Sequence, residues 1–553
     1  MQRVKALVLS GALHWSAILA LSLAYYAFYL NSGFNFSDAG NYAQICFELL
    51  LGRDPNEFAI NYGILWFKIG QILFYLFGAD FGLIKLLFFF CIIVTNILVF
   101  YTVHLATSSR LLAFGAAVTT MLVPAFPPTS FYALCVMLNV AVQMRLIQKH
   151  ASPWHAILAG AVLAFTFQIR PDFGYVFVVP LAVVIILASY ASVSRSDNST
   201  RIQFGKNLGF SALGGFVSVL VIGLIASVIG GYTDVLLRQF MEYPTMMAGY
   251  LLDGIRQLTA GPAPSGLYVP ELLQRPNLVD ILSGDWGNAQ LSLLIYLPTL
   301  LFIIFVLFNV PLFFRFLNNH QKGPFTQNIV ALSAALATFP HYFFYRPDMS
   351  HIANFMPGYI VLVAIFVSQI YGHIRSGNQK WRRFGAASIF FLLALNIGIY
   401  LWVGMQSPAT GSIAVAIERT EKFSADNGVD VLVTPVEKSD LEFLQDVIVQ
   451  NSLRGDAIVC VPYCPGVAFM TARKMLLPNF YVDDTYLLQK PDWLPSAINL
   501  ISESSPAVII VIDWAINGTE QSRFTNWASP FITVVEELAN TKITRGSITA
   551  YVL

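Results

Sequence analysis

The sequence predicts a polytopic α-helical membrane protein with about eleven transmembrane helices and a C-terminal extracytoplasmic α/β domain. The first observation is composition: 56% of the 553 residues are hydrophobic and only 11% are charged, against roughly 25% charged residues in a soluble domain. The second is the recurrence, up to residue 405, of apolar runs of about 20 residues, the length that crosses a bilayer. Beyond that residue, short apolar runs alternate with helical patterns.

The transmembrane domain is expected over residues 1–405. With the N-terminus in the cytoplasm, the short basic clusters between spans all fall on the cytoplasmic side, as the positive-inside rule requires. The first apolar run is longer than the roughly 7–15 residues of a signal-peptide core, which indicates an uncleaved span. The predicted spans lie at about 6–30, 83–105, 111–126, 129–146, 155–170, 174–191, 207–230, 291–314, 327–342, 355–372 and 384–405.

The segment "YGILWFKIGQILFYLFG" (62–78) is apolar enough to be a further span. Counting it would move every later basic cluster to the outside and break the charge rule. Its short length and its central Lys68 fit a helix lying in the membrane interface or re-entering from one side. We therefore predict an interfacial helix here.

Residues 406–553 form the predicted C-terminal domain, long enough to bury its own core. "VDVLVT", "AIVCVPY", "AVIIVID" and "SITAYVL" are typical of buried strands, and "KSDLEFLQDVIVQNSL" and "LPSAINLISE" of helices. Cys460 and Cys464 flank the second strand pattern, where a disulfide and two buried free thiols both fit, and the free thiols are the favoured interpretation. No phosphate loop or nucleophile elbow is visible, so a packing or acceptor-docking role is expected.

The first extracytoplasmic loop, "NFSDAGNYAQICFELLLGRDPN", places a carboxylate, Asp38, just past the first span. Tyr42 and the apolar residues after it fall on one face of a helix. One interpretation makes Ser37 or Asp38 an N-cap of that helix. The other makes Asp38 a functional carboxylate at the membrane surface.

A late loop, "FPHYFFYRPDMSHIANFMPG", contains Arg346, Asp348 and His351 after an aromatic run. Arg346 and Asp348 fit a simple ion pair. They also fit anion binding, because a guanidinium matches a phosphate and the imidazole of His351 adds a donor. His341 is a second candidate donor.

The Arg-Pro-Asp triplet of that loop occurs once more in "QIRPDFGY", where it supplies Arg170 and Asp172 at the end of the fifth predicted span. These two side chains either pair with each other or line a cavity, and charged groups at membrane depth are functional candidates by default. We find no metal-ligand spacing, no intramembrane row of carboxylates and no Ser-His-Asp arrangement. The net charge of +1 gives no indication of nucleic-acid binding.

These motifs resemble those of the GT-C integral-membrane glycosyltransferases, in particular bacterial members related to the protein O-mannosyltransferases and the aminoarabinose transferase of lipid A. "DAGNYAQICFELLLGRDPNEFAINYGILWF" is similar to the first-loop pattern of that family. "YRPDMSHIANFMPG" resembles its late Arg-x-Asp-x-x-His loop, and "LRGDAIVCVPYCPGVAFMTARKMLLPNFY" resembles its extracytoplasmic C-terminal domain. The chain departs from the family at Ala39, where many members carry a second acidic residue.

The resemblance implies transfer of a sugar, with inversion, from a polyprenyl-phosphate donor to an extracytoplasmic glycan, lipid or protein at a bacterial inner membrane. Asp38 would be the general base, and Arg346 with Arg170 or His351 would bind the donor phosphate. Asp348, Asp172, His341 and Tyr42 would support them. Because Ala39 replaces the second acid, no metal or other cofactor is implied. A flippase of lipid-linked saccharides and a non-catalytic envelope assembly protein remain the alternatives.

Overall fold

The structure is a computed structural model of the chain. It describes residues 2–58, 63–123, 127–147, 151–192, 198–260, 286–319, 324–340, 349–376, 387–388, 391–399, 401–402, 413–483, 487, 490–516 and 520–553.

Thirteen of the described helices precede residue 377, so the predicted helical class is confirmed for this part of the chain. They are α1 (Gln2–Ala27), α2 (Asp38–Leu50), α3 (Ile64–Phe77), α4 (Phe81–Thr107), α5 (Arg110–Leu122), α6 (Ser130–Ile147), α7 (Pro153–Ile169), α8 (Pro171–Ser192), α9 (Asn198–Ile229), α10 (Thr233–Ala260), α11 (Trp286–Asn319), α12 (Pro324–Pro340) and α13 (Met349–Ser376).

Among the described residues, 6 helices are long and apolar enough to cross a membrane. Their apolar parts are Phe81–Thr107, Pro127–Ile147, Pro171–Tyr190, Ser199–Ile229, Tyr296–Leu317 and Ile352–Gly372. Three other predicted spans coincide with shorter apolar helices, Leu13–Ala27, Arg110–Leu122 and Pro153–Ile169. The predicted span at 327–342 coincides with α12, and the last one lies partly outside the described residues. The total of eleven stays a prediction.

The described residues divide into two compact units that are not contiguous in sequence. The first loop groups with the C-terminal region, whereas the predicted division at residue 405 would place that loop with the spans. The first unit draws on Met1–Tyr26, Phe89–Ile255 and Arg275–Ile413, and the second on Ala27–Phe88, Arg256–Gln274 and Ala414–Leu553.

Within the first unit, helices α7 and α9 are held at close backbone contact by glycines. A Cβ added at Gly160 would lie 1.8 Å from the Ala212 carbonyl oxygen, and one added at Gly215 would lie 2.0 Å from that of Ile157. Two helices can approach this closely only where their facing residues are small. In lipid, which offers no hydrophobic drive for helix association, such close packing helps hold helices together. Buried polar groups pair nearby, as where Asn139 donates to the Thr166 hydroxyl at 2.7 Å.

The C-terminal part of the second unit is an α/β fold. Its five-stranded sheet has the order β4-β3-β5-β7-β6, parallel between β3 and both β4 and β5 and antiparallel elsewhere, and β1 and β2 form a separate antiparallel pair. The elements are α14 (Ile413–Glu418), β1 (Glu421–Ala425), β2 (Val429–Val433), α15 (Pro435–Asn451), β3 (Ala457–Val461), α16 (Pro465–Met470), β4 (Lys474–Met475), α17 (Trp493–Ser504), β5 (Val508–Ile512), α18 (Phe524–Trp527), α19 (Ser529–Leu538), β6 (Thr541–Arg545) and β7 (Ile548–Val552).

All four strands predicted from buried apolar runs are present as β2, β3, β5 and β7. Strand β5 is buried along its whole length, and its Ile509 and Val511 pack into one core with Phe531. The three strands that were not predicted carry weaker patterns. Strand β6, "TKITR", is exposed throughout, and β4 is only 2 residues long.

The start of the first loop forms part of the second unit by adding to its small sheet. Gly33 donates its N–H to the Leu432 carbonyl at 2.8 Å, and Leu432 donates back to the Asn31 carbonyl at 2.6 Å. Gly33 adopts a left-handed φ of 72° and lies against the Arg419 side chain, so no other residue fits there without strain. This pairing ties residues 31–33 to strand β2.

The segment predicted as an interfacial helix is helix α3, a member of the second unit. Near its start, the Trp66 carbonyl accepts a hydrogen bond from Tyr42 of α2. Near its end, Phe74 stacks on Phe469 of α16, with ring centroids 5.8 Å apart. Contacts at both ends therefore join α3 to elements of its own unit.

Candidate functional site

Asp38 is the first residue of helix α2, where its half-buried carboxylate lies at the positive end of the helix dipole. Of the two residues considered for the N-cap, the structure makes Ser37 the N-cap residue. Ser37, the N-cap residue, makes no side-chain capping hydrogen bond. The N–H of Ala39 is accepted instead by Asn35 Oδ1 at 3.1 Å. The Asp38 carboxylate is thus directed to a different partner.

A contact between two glycines brings a distant segment onto the start of α2. A Cβ on Gly40 would lie 2.5 Å from Gly466 Cα, and a Cβ on Gly466 would lie 2.6 Å from Phe36 Cα. The Gly466 N–H donates to the Phe36 carbonyl at 2.8 Å. Because neither glycine carries a side chain, helix α16 and the loop before it pack directly on the Asp38 segment.

Tyr463, in the loop before α16, contacts Asp38 as a result. Its hydroxyl donates to Asp38 Oδ1 at 3.0 Å, across 425 positions of sequence, and its side chain is only 9% exposed. The loop that carries it is closed by a disulfide between Cys460 and Cys464. The favoured expectation of two free thiols is therefore wrong, because the turn after β3 brings the two side chains together.

A second tyrosine and a second carboxylate support Tyr463. The rings of Tyr463 and Tyr481 meet edge to face with centroids 4.9 Å apart, a favourable arrangement for aromatic pairs. The Tyr481 hydroxyl donates to Asp483 Oδ2 at 2.5 Å, and Asp483 is buried. The ring against which Tyr463 rests is therefore itself held in place.

The far end of α2 is fixed to the C-terminal region by a buried glutamate. The carboxylate of Glu48 pairs with Arg53 and accepts from the Met475 N–H at 2.7 Å. Gln44 donates to the same carboxylate at 2.6 Å and to the Arg473 carbonyl at 3.0 Å. Burial raises the pKa of Glu48, and these donors offset part of the rise. Both ends of α2 are thus anchored on the same fold.

Tyr42, predicted as a supporting residue, packs in the interior of the second unit. It is 3% exposed, its hydroxyl donates to the Trp66 carbonyl at 2.5 Å, and its ring stacks on Phe67 with centroids 5.2 Å apart. These contacts join α2, the helix that begins with Asp38, to α3.

Arg170, a predicted phosphate ligand, is fully buried at the junction of α7 and α8 in the first unit. Its Nε lies 2.9 Å from Asp172 Oδ1, its Nη1 donates to the Tyr132 hydroxyl at 2.6 Å, and its guanidinium carbon lies 4.1 Å from the centre of that ring. Phe173 covers it from another direction at 5.3 Å. The ion-pair interpretation of this triplet therefore describes its arrangement.

The remaining predicted site residues cannot be placed with these. His341, Arg346 and Asp348 lie outside the described residues, and His351 is described only as part of helix α13. Asp38 and the Arg170–Asp172 pair belong to different units. Within the described ranges, no group of three or more His, Cys, Asp or Glu side chains is arranged to hold a metal ion.

Tyr463, Tyr481 and Asp483 were not found from the sequence. Two local signals were present: the tyrosine lies between two cysteines in "CVPYC", and a tyrosine precedes two aspartates in "FYVDD". Neither signal names Asp38 as a partner, because that contact depends on the docking of Gly40 against Gly466.

The scan against protein-family models finds no match, and no curated protein matches the chain significantly.

Proposed function

We propose that the protein is a membrane glycosyltransferase that moves a sugar from a polyprenyl-phosphate donor to a hydroxyl of an extracytoplasmic acceptor. The observation that carries this proposal is Asp38, a half-buried carboxylate at a helix start whose Oδ1 accepts a hydrogen bond from Tyr463. A carboxylate that is held in one orientation and remains partly exposed suits general base catalysis. The resemblance of the first loop to GT-C enzymes supports the same assignment.

In the proposed reaction, Asp38 takes the proton of the acceptor hydroxyl. The acceptor oxygen forms a bond to the anomeric carbon of the sugar, and the bond from that carbon to the lipid phosphate breaks with inversion. The lipid phosphate leaves as an anion, so positive charge near it lowers the barrier. A positioned base of this kind contributes roughly 10²–10⁴-fold to the rate.

We assign the departing phosphate first to Arg346, with His351 as a second donor. Arg170 is the weaker choice of the two arginines, because Asp172 and Tyr132 already engage its guanidinium. A cation paired with a carboxylate offers a phosphate little net charge. Arg170 would assist only by shaping the segment in which it is buried.

The orientation that the reaction requires has independent support. A disulfide between Cys460 and Cys464 fits an oxidising compartment and so supports the proposal that the C-terminal region lies outside the cytoplasm. Helix α3 has 14 residues, which gives it a length of about 21 Å, short of the roughly 30 Å of a hydrocarbon core. Both points agree with a cytoplasmic N-terminus and an α3 that lies along the membrane surface.

The proposal is tested by incubating the purified, reconstituted protein with a panel of polyprenyl-phosphate sugars and measuring single-turnover transfer. Asp38→Asn keeps the shape of the side chain but removes the proton acceptor, so the rate should fall by about 10²-fold or more. Binding of a donor analogue should persist.

Asp54→Asn is the matched control. It lies in the same loop and its carboxylate caps a short turn by accepting from the Asn56 N–H at 2.8 Å, so it should retain the parent rate. Transfer by Asp38→Asn at the parent rate would exclude Asp38 as the base. Absence of transfer with every donor would overturn the proposed function.

A further inference from the structure

We infer that the C-terminal region completes the proposed active site by supplying a positioning residue, Tyr463, whose hydroxyl holds the Asp38 carboxylate in the orientation that accepts the acceptor proton. This inference rests on the proposed glycosyl transfer. It assigns a role in the reaction to a region for which the sequence predicts only packing or acceptor docking.

The hydrogen bond from Tyr463 lies within the ordinary range of O–H···O distances and restrains the carboxylate. A tyrosine O–H donated to an ionised carboxylate is charge-assisted, and such bonds fix geometry as well as contribute energy. The 3.0 Å contact engages Oδ1 of Asp38 and therefore restricts rotation of the carboxylate about its χ2 bond. A base whose oxygens are fixed presents its proton-accepting lone pair in a constant direction. Holding reacting groups in the right geometry lowers the barrier to reaction.

The surroundings of Tyr463 restrict the position of its hydroxyl, the donor to Asp38. The backbone on either side is closed by the Cys460–Cys464 disulfide, and the ring is buried against the edge of Tyr481. Gly466, three residues further on, bonds to the Phe36 carbonyl two residues before Asp38. Donor and acceptor segments are thus joined by a backbone bond beside the side-chain bond.

The alternative is that Tyr463 is only a packed aromatic residue whose hydroxyl happens to reach a carboxylate. The two roles differ in how Tyr463 depends on Asp38. A positioning residue acts through Asp38, so its loss matters only while Asp38 is a base. A packing residue affects the fold, and its loss acts on any activity that remains.

A double-mutant cycle separates these roles. Single-turnover transfer is measured for the parent protein, Tyr463→Phe, Asp38→Asn and the double variant. We expect Tyr463→Phe to lower the rate by about tenfold at unchanged KM for the donor, since hydrogen bonds to charged groups are worth about one factor of ten or more. In the Asp38→Asn background it should lower the rate no further.

Tyr551→Phe is the matched control, because it removes the hydroxyl of another buried tyrosine of the same region whose bond is made to Glu536. It should keep the parent rate. If Tyr463→Phe reduces the yield of folded protein, rates are compared per folded molecule, so the comparison of the two backgrounds still separates the roles.

Equal loss from Tyr463→Phe in both backgrounds would overturn the positioning role while leaving Asp38 as the base. Absence of transfer by the parent protein with every donor would instead overturn the proposed function, and this inference with it.

Discussion

Arg170 and Asp38 are both charged residues selected from the sequence, and the two units hold them in opposite ways. Arg170 is fully buried and pairs with Asp172, two positions further along the chain. Asp38 is half-buried and bonds to Tyr463, 425 positions away. The first arrangement satisfies its charge locally and closes it off from solvent. The second leaves a carboxylate partly open and makes its orientation depend on the docking of a distant segment.

This difference shows that a charged residue at the start or end of a helix fits two roles. An Arg-Pro-Asp triplet at a helix junction can neutralise itself, and burial then makes the pair a structural element. A carboxylate at a helix start can instead take a partner from a distant segment, as Asp38 does from Tyr463. Substitutions near each group test whether the closed Arg170–Asp172 pair and the open Asp38 carboxylate differ as their contacts indicate.

Arg170→Ala should give the largest effect. Removing one partner of a buried pair leaves an uncompensated charge on Asp172, which typically costs about 3–5 kcal/mol of unfolding free energy. The loss is measured as thermal unfolding of the detergent-solubilised protein. The double variant Arg170→Met with Asp172→Leu should regain most of the stability, since it removes both charges and keeps the volume. An Arg170→Ala protein with parent stability and lost donor binding would show that Arg170 is a ligand.

Gly40→Ala should give the next largest effect, confined to the second unit. The added Cβ would meet the Gly466 backbone at 2.5 Å, and such overpacking costs about 1–3 kcal/mol. Separation of the two segments should also lengthen the bond from Tyr463 to Asp38 and reduce transfer. Stability and rate are measured together on the reconstituted protein.

Gly115→Ala is the control for that substitution, because a Cβ there meets nothing within 4 Å and the position is helical. It should leave the protein as stable as the parent or slightly more so. Equal behaviour of the two alanine variants would mean that the Gly40–Gly466 contact does not hold the Asp38 segment.

The sequence was sufficient for features that depend on local pattern. Apolar runs of bilayer length predicted the long apolar helices but not α10 (Thr233–Ala260), which lies outside every predicted span. Buried apolar runs predicted the strands β2, β3, β5 and β7. The short, polar or exposed strands β1, β4 and β6 lacked that pattern, because edge strands bury little and need no apolar run. The helix at 62–78 was predicted from its apolar run, its short length and its central Lys68, together with the charge rule, and Ile64–Phe77 is helical.

The surroundings of Asp38 could not be predicted, because they depend on contacts between residues far apart in sequence. Nothing in "NFSDAGNYAQ" indicates that Gly40 meets Gly466 or that Tyr463 reaches the carboxylate. The disulfide was predicted wrongly for a related reason, since a spacing of four residues allows both a bridge and two free thiols. Tertiary docking decides these features, and single-sequence patterns carry no information on its register.

Two glutamates of the second unit also differ in exposure, and their pKa values shift in opposite directions. Glu48 has a side chain with no exposure and pairs with Arg53, whereas Glu437 has a side chain 38% exposed and lies 2.8 Å from Arg419. Burial raises the pKa of Glu48. Partial burial acts in the same direction on Glu437, but hydrogen bonds from Arg419 and from the Thr434 N–H bring its pKa below the ordinary value.

The two shifts predict opposite dependences of stability on pH. The contribution of Glu48 is fully present below the unfolded-state pKa of about 4.3 and is lost as pH rises through its higher folded value. The contribution of Glu437 is present above about 4.3 and is lost as pH falls through its lower folded value. The advantage of the parent over Glu48→Gln should therefore shrink with rising pH, and its advantage over Glu437→Gln should shrink with falling pH. Because Glu437 is half-exposed, its effect should stay within about 1 kcal/mol. Chemical unfolding of the full-length protein from about pH 2.5 to about pH 8 measures both differences. Slopes of the same sign would contradict the assignment of Glu48 as the closed charge and Glu437 as the open one.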